Sequence, residues 1–458
     1  MKNTIRIIAT LLLLSLAAKS SAILHLVLTR GVDAAIPIAV VPFAQTNIAK
    51  TTPVDTAMAT KISTVVAADL QNSGRFNVAT NLDAQHAPHQ PSDVKIAYWQ
   101  KQNVNYLVIG SVTATANQQD TVRFSLLNVY KHDGVGANPS LANQAPVILS
   151  QIITVPAKQL RALAHHISDL IYQKIIGERG IFSSKIAYVL LQRPADKPPL
   201  YQLIIADYDG FNPQAILISH QPIMSPAWSA DGKRLAYVSF ESGFPAIYIS
   251  NIASGKRRLI TRFTGINGAP AFSPDGKRLA VVLSKGEQSN IYVINLLDGK
   301  IKQLTHSYAI DTEPSWSPDG HSLLFTSGRG GTPQIYQINL QNKRVKRLTF
   351  DGNYNARASF SPDGQSILLL HRGTDTDGQF GIALQDLRTG VLQVLASDND
   401  QSPSLAPNSS MVIYARQDAQ RRGELAMVST DGRVKLQLPS AKGDVREPAW
   451  ASFSEKVN

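Results

Sequence analysis

The chain has 458 residues, is 43% apolar and 17% charged, carries 45 Lys and Arg against 33 Asp and Glu for a formal charge of +12, and contains no cysteine. These values exclude a disordered chain, a disulfide framework, a thiolate metal site and a cysteine nucleophile, and they leave room for two or three domains.

In chain order, Lys2 and Arg6 precede an apolar run of about twelve residues from Ile7 to Ala18, and Ser20, Ser21 and Ala22 supply the small side chains that a signal peptidase reads. Residues 1–22 are therefore expected to be a secretory signal peptide. The run falls short of the ~20 residues that a bilayer span needs, and Lys19 interrupts it. Cleavage leaves no membrane span and a mature chain beginning at Ile23. Export also argues against nucleic acid as the partner of a basic chain.

Residues 23–34 form a short segment of their own. Ile23, Leu24, Leu26 and Leu28 are apolar, the stretch can extend as a strand, and Gly31 offers a hinge. Leaving such side chains in water forgoes roughly 1.5 to 3 kcal/mol each, so the segment wants a partner.

Residues 35–183 read as a small α/β domain. A strand is expected from Ile38 to Phe43. Asp55 then caps a helix with Met58, Ile62, Val65, Val66 and Leu70 on one face, ended by Gly74. A helical stretch from Ser92 leads to the strand YLVIGSVT at Tyr106, and TVRFSLLNVY from Thr121 and VILSQIITV from Val147 alternate as strands. Leu160, Leu163, Ile167, Leu170, Ile171 and Ile175 line a last helix that stops near Gly177.

Residues 184–458 are repetitive. PAWSADGKRLAYV begins at Pro226, PAFSPDGKRLAVV at Pro270, PSWSPDGHSLLFT at Pro314, ASFSPDGQSILLL at Ala358 and PSLAPNSSMVIYA at Pro403, a period near 44. Each is followed by an alternating strand, such as NIYVINL from Asn290, and by a basic, turn-led piece such as NKRVKRLTF from Asn342. Four short strands at this period predict the blades of a β-propeller. In SPDG, Pro presets φ, Asp accepts local backbone bonds and Gly takes the positive φ of a tight hairpin, so the repeated aspartates read as turn residues rather than metal ligands. The last segment, EPAWASF from Glu447, is an inner strand without partners, whereas SKIAYVLL from Ser184 and YQLIIADYDG from Tyr201 lack an inner strand. Joined, they complete a ring of six blades.

The Lys and Arg clusters on the last strand of each unit (Lys256 to Arg258, Lys300 and Lys302, Lys343 to Arg347, Arg433 and Lys435) read as edge protection. Asp375 and Asp377 before Gly378, or Asp207 and Asp209 before Gly210, offer oxygen ligands without continuing into a calcium loop, so turns account for both. No G-x-S-x-G elbow or H-E-x-x-H occurs. A periplasmic propeller hydrolase, or a glycan- or peptide-processing enzyme assembled from distant loops, is the alternative class.

The stretches GVDAAIPIAVVPF from Gly31, NGAPAFSPDGKRLA from Asn267, DTEPSWSPDG from Asp311, LAPNSSMVIY, AMVSTDGRVKLQLP and the closing EPAW stand in order behind a signal peptide and an α/β domain. On these pieces the chain resembles the TolB family of the periplasmic Tol-Pal envelope system, over nearly the whole mature chain. The resemblance implies a monomeric, non-enzymatic periplasmic protein without a cofactor or metal. It implies binding of the lipoprotein Pal by one propeller face, of TolA by the N-terminal segment, and contact with other envelope proteins, in maintaining outer-membrane integrity and constriction during cell division. Carried over by position, the Pal-facing residues are Ser225, Asn267, Gly268, Ala269, Thr312, Glu313, Asn355, Arg357, Ser402 and Glu447. The TolA-facing residues are Ile23, Leu24, Leu26, Leu28, Gly31, Val32 and Asp33. Ile266 stands where family members carry a histidine.

Overall fold

A computed structural model describes residues 25–28, 35–47, 56–80, 82, 87–114, 119–130, 146–285, 288–440 and 442–453. The expected signal peptide, Asp55, and the candidate residues Ile23, Leu24, Gly31, Val32 and Asp33 lie outside them.

In the N-terminal part, Ile36–Val40 is the parallel centre of a mixed sheet, flanked by Phe76–Val78 and Tyr106–Ala114; Ala44–Asn47 also pairs with Tyr106–Ala114, and Gln119–Asn128 and Val147–Pro156 continue it antiparallel. The central strand is apolar on both faces because both are covered. Ile38 and Val40 enter the core beneath helices α1 (Thr56–Asn72) and α3 (Leu160–Ile176), while Ala39 and Val41 join Trp99 of the short helix α2 (Ile96–Lys101). Helix α3 ends as expected at Gly177, whose left-handed backbone (φ 90°) closes the last turn on the Gln173 carbonyl.

The C-terminal part is a six-bladed propeller. Blade I holds Lys185–Gln192, Leu200–Asp207 and Gln214–Ser219; blade II runs from Ile223 to Thr261, blade III from Asn267 to Gln303, blade IV from Asp311 to Arg347, blade V from Tyr354 to Ala396 and blade VI from Gln401 to Gln437. The last strand, Asp444–Trp450, pairs antiparallel with Lys185–Gln192 and becomes the inner strand of blade I, so the two ends of the ring are joined. The SPDG turns act as clamps. Ser273 Oγ accepts the Arg278 N–H at 2.9 Å, Asp275 accepts the Lys277 N–H at 3.1 Å, and Gly276 has φ 64°. The Ser273 hydroxyl, ahead of the cost of burial, holds the Asp275 carboxyl below its usual range. Behind the clamp, Arg278 stacks on Trp316 of the next blade at 4.5 Å, and the Trp316 indole donates back to the Ala271 carbonyl at 3.0 Å.

The two parts share one core, in which Leu70, Ile167 and Ile171 meet Ile186, Tyr208, Met411 and Val434. The left-handed turn at Gly74 passes so close to blade VI that a Cβ there would lie 2.3 Å from Val434 Cγ2. Within this joint, buried Asp69 accepts from Tyr208 Oη at 2.7 Å and Ser168 Oγ at 2.7 Å and lies 2.9 Å from His165 Nδ1. Among the described residues, no helix is long and apolar enough to cross a membrane.

Candidate functional site: the propeller face and its central ring

Strand pairing fixes which loops share a face. In blade III, Asn267 pairs with Leu283 and Leu283 with Asn290, so the connections before Asn267 and between Leu283 and Asn290 lie together, opposite the SPDG turns. The same order holds in the other blades.

Within each inner strand the ladder slips: the register shifts between Met224 and Ala227, Gly268 and Ala271, Thr312 and Ser315, Ala356 and Ser359, Gln401 and Ser404, and Arg446 and Ala449. The residue at each bulge takes a left-handed backbone: Ser225 (φ 52°), Ala269 (43°), Glu313 (54°), Arg357 (56°), Ser402 (54°) and Glu447 (48°). Five are followed by proline, which has no N–H to return to the ladder. This conformation costs L-residues roughly 1 to 3 kcal/mol each and persists only where the surroundings over-determine it. Here it re-aims six equivalent side chains toward the axis, around a cavity of about 190 Å³ at the channel mouth.

The ring is a connected polar network. Arg357 Nε lies 2.9 Å from Glu313 Oε1, its Nη2 lies 2.9 Å from Glu447 Oε1, and its Nη1 donates to Ser402 Oγ. Glu313 Oε2 also accepts from the Arg357 N–H at 3.0 Å and from Thr326 Oγ1 at 2.8 Å, and Glu447 accepts from the Ser225 N–H. Burial pushes the Arg357 guanidinium down, but the charges of Glu447 and Glu313 outweigh it and raise its pKa. Two carboxylates against one guanidinium leave a net negative mouth, with Ala269 as its apolar gap.

The candidate residues thus divide. Ser225, Ala269, Glu313, Arg357, Ser402 and Glu447 come together in the ring, with Gly268 and Thr312 beside it. Asn267 and Asn355 are turned into the blades. Asn267, 1% exposed, bonds the Phe263 N–H and carbonyl at 3.0 and 2.7 Å, and Asn355 binds the Asp351 carbonyl at 2.7 Å and lies 2.8 Å from His371 Nδ1. Sequence reasoning missed a set of apolar side chains on the same face: Met224, Phe244 (67% exposed), Tyr308 (96%), Ile310 and Phe350 (72%), which join exposed Ile266. Their signal was large apolar residues inside turn-rich connections such as HSYAID and LTFDGN. Together they frame the polar ring with an apolar border, the arrangement of a protein-binding patch.

The four described residues of the N-terminal segment are seated on the propeller. His25–Leu28 pairs antiparallel with Val434–Gln437, Leu26 opposite Leu436 and Leu28 opposite Val434, as a fifth strand on blade VI.

Among the described residues, Asp69, His165 and Asp209 could hold a metal by proximity. Arg161 already pairs with Asp209, and Asp69 is engaged by three donors, so the cluster is a joint between the two parts of the chain. Asp207 is likewise paired with Lys185, and Asp375 lies 2.9 Å from His371 Nε2.

Comparison with known proteins agrees with this architecture. The family model of the TolB amino-terminal domain matches residues 24–135, and that of the TolB beta propeller domain matches residues 172–454. The Tol-Pal system protein TolB of Coxiella burnetii is 58% identical over 432 residues, covering 94% of each chain; that of Nitrosococcus oceani is 54% identical over 431 residues, again with 94% of each covered. The crystal structure of TolB from Acinetobacter baumannii superposes with a TM-score of 0.80 at 40% identity, covering 94% of this chain and 100% of that one.

Proposed function

The chain belongs to the TolB family of Tol-Pal system proteins, a non-enzymatic family of the cell envelope, and from that premise we propose that in the periplasm it binds Pal through the ring face and TolA through residues 23–34. Cycling between the two partners would maintain outer-membrane integrity and constriction during division. The observation that carries the Pal reading is the ring itself. Six bulged residues hold Glu313, Arg357 and Glu447 in fixed, mutually satisfied positions at the centre of an exposed apolar border. Preorganised polar groups inside an apolar rim are where binding energy concentrates.

The test is Glu313→Ala against Lys343→Ala, measured by calorimetry with purified Pal. Loss of the central carboxylate should weaken binding by roughly 2 kcal/mol or more. Lys343, on an outer turn, should change it by less than about 0.5 kcal/mol. Equal effects, with folding intact, would refute the assignment.

The TolA reading rests on the strand pairing of His25–Leu28 with the outer edge of blade VI. A segment that adds as an edge strand to its own protein has the backbone form needed to add to another. Docked and released states then compete, and any ligand that favours one shifts the other's affinity by the same factor.

A further inference from the structure

Between the outer strands of blades III and IV lies a cleft of about 590 Å³ that the ring does not use. Lys302 enters it from the blade III strand Ile301–Gln303 and Lys343 from the turn before the blade IV strand Val345–Arg347, joined by Gln303, His306, Tyr308 and Arg329. No carboxylate lines it among the described residues. Arg329 has its counter-charge in Asp311, through bonds of 3.0 and 2.8 Å, so the surplus charge is that of the two lysines. Neither has a carboxylate partner among the described residues, and Lys343 Nζ is held by the Leu340 carbonyl at 2.6 Å. Burial, and then the charge of Lys302, push the Lys343 ammonium down, in keeping with two lysines that share one cleft.

Edge protection accounts for exposed lysines at an outer strand, such as Lys256 just before the blade II strand Arg257–Thr261. It does not account for two that converge on one concavity from different blades. The size suits a small organic ligand. Beside the cations, Gln303 and His306 offer polar groups and Tyr308, almost fully exposed, presents an aromatic face with a polar tip.

We propose that this cleft binds an anionic sugar, with the phosphate or carboxylate between Lys302 and Lys343 and the ring packed on Tyr308. The two lysines lie outside the ring and only Tyr308 is shared with its apolar border, so the lysine variants test the cleft separately from the Pal reading.

Calorimetric titration of the mature protein with glucose 6-phosphate, glucuronate, glucose and inorganic phosphate tests it. At least one anionic sugar should bind saturably in the millimolar range, and which one binds identifies the anion. Lys302→Gln and Lys343→Gln should each weaken it about tenfold, the scale of a charge-assisted hydrogen bond. Tyr308→Ala should weaken the sugar and leave inorganic phosphate unaffected. All three positions are exposed, and unchanged melting confirms that the variants fold. The proposal is overturned if neither anionic sugar saturates, if glucose binds as well, if inorganic phosphate binds as tightly as the sugar phosphate, or if the double lysine variant retains binding.

Discussion

Replacing Trp450 by alanine tests how the ring is closed. Trp450 lies on the last strand, is 6% exposed, and sits in the core that contains Ile186, Tyr188 and Val445. Its indole donates to Ser184 Oγ at 2.8 Å, and its backbone N–H donates to Ser404 Oγ of blade VI at 2.9 Å. One residue therefore ties the last strand to the first blade and to its neighbour. Truncating a buried Trp costs about 3 to 5 kcal/mol in lost transfer energy and cavity. Trp450→Phe keeps much of the apolar bulk and removes the indole donor, so it should cost only about 1 to 2 kcal/mol. Against a total stability of roughly 5 to 15 kcal/mol these are large fractions. The assay is urea unfolding followed by near-ultraviolet circular dichroism, with Leu297→Ala as control, because Leu297 is 94% exposed on an outer turn and its loss should be within about 0.5 kcal/mol. Alanine at position 450 costing no more than the control would refute closure through this strand.

Asp400 is fully buried, with Oδ1 unpartnered among the described residues, and burial pushes its carboxyl up to about 6. A folded pKa above the unfolded value means that this contribution is greatest below about pH 4 and is lost as pH rises through about 6, so Asp400→Asn should raise the unfolding free energy from urea titration at pH 7.5, by at most about 3 kcal/mol, and leave it unchanged near pH 4. Burial lowers the His165 imidazole, but Asp69 and then Asp209 overcome this and raise its pKa overall. Its stabilisation is complete below its unfolded pKa of about 6.5 and fades as pH rises through the folded value, so His165→Gln should flatten stability against pH above neutrality; parallel curves from pH 6.5 to 9 would exclude that role. A mature chain beginning at Ala35 should lose TolA binding while keeping its propeller fold, read as cooperative unfolding, and its Pal binding, and undiminished TolA affinity would reduce residues 23–34 to a tail.

What was legible in the sequence is what local interactions decide. The SPDG clamp closes within five residues, from Ser273 to Arg278, so its recurrence near every 44 residues reports blades directly, and the orphan inner strand at the C-terminus implied the joined blade I. The helices of the N-terminal part were visible for the same reason: their apolar faces and Gly stops are local. Tertiary structure decided which of the candidate residues share the site. Asn267 and Ala269, or Asn355 and Arg357, stand two residues apart and alternation would place each pair on one face, yet the bulge separates them, sending one into the blade and the other to the axis. Arg357 meets Glu447 across 90 positions, and Asp69 meets His165 and Tyr208 across 96 and 139. No spacing in a linear chain encodes such pairs, because they form only when a closed ring and a shared core bring separate elements together.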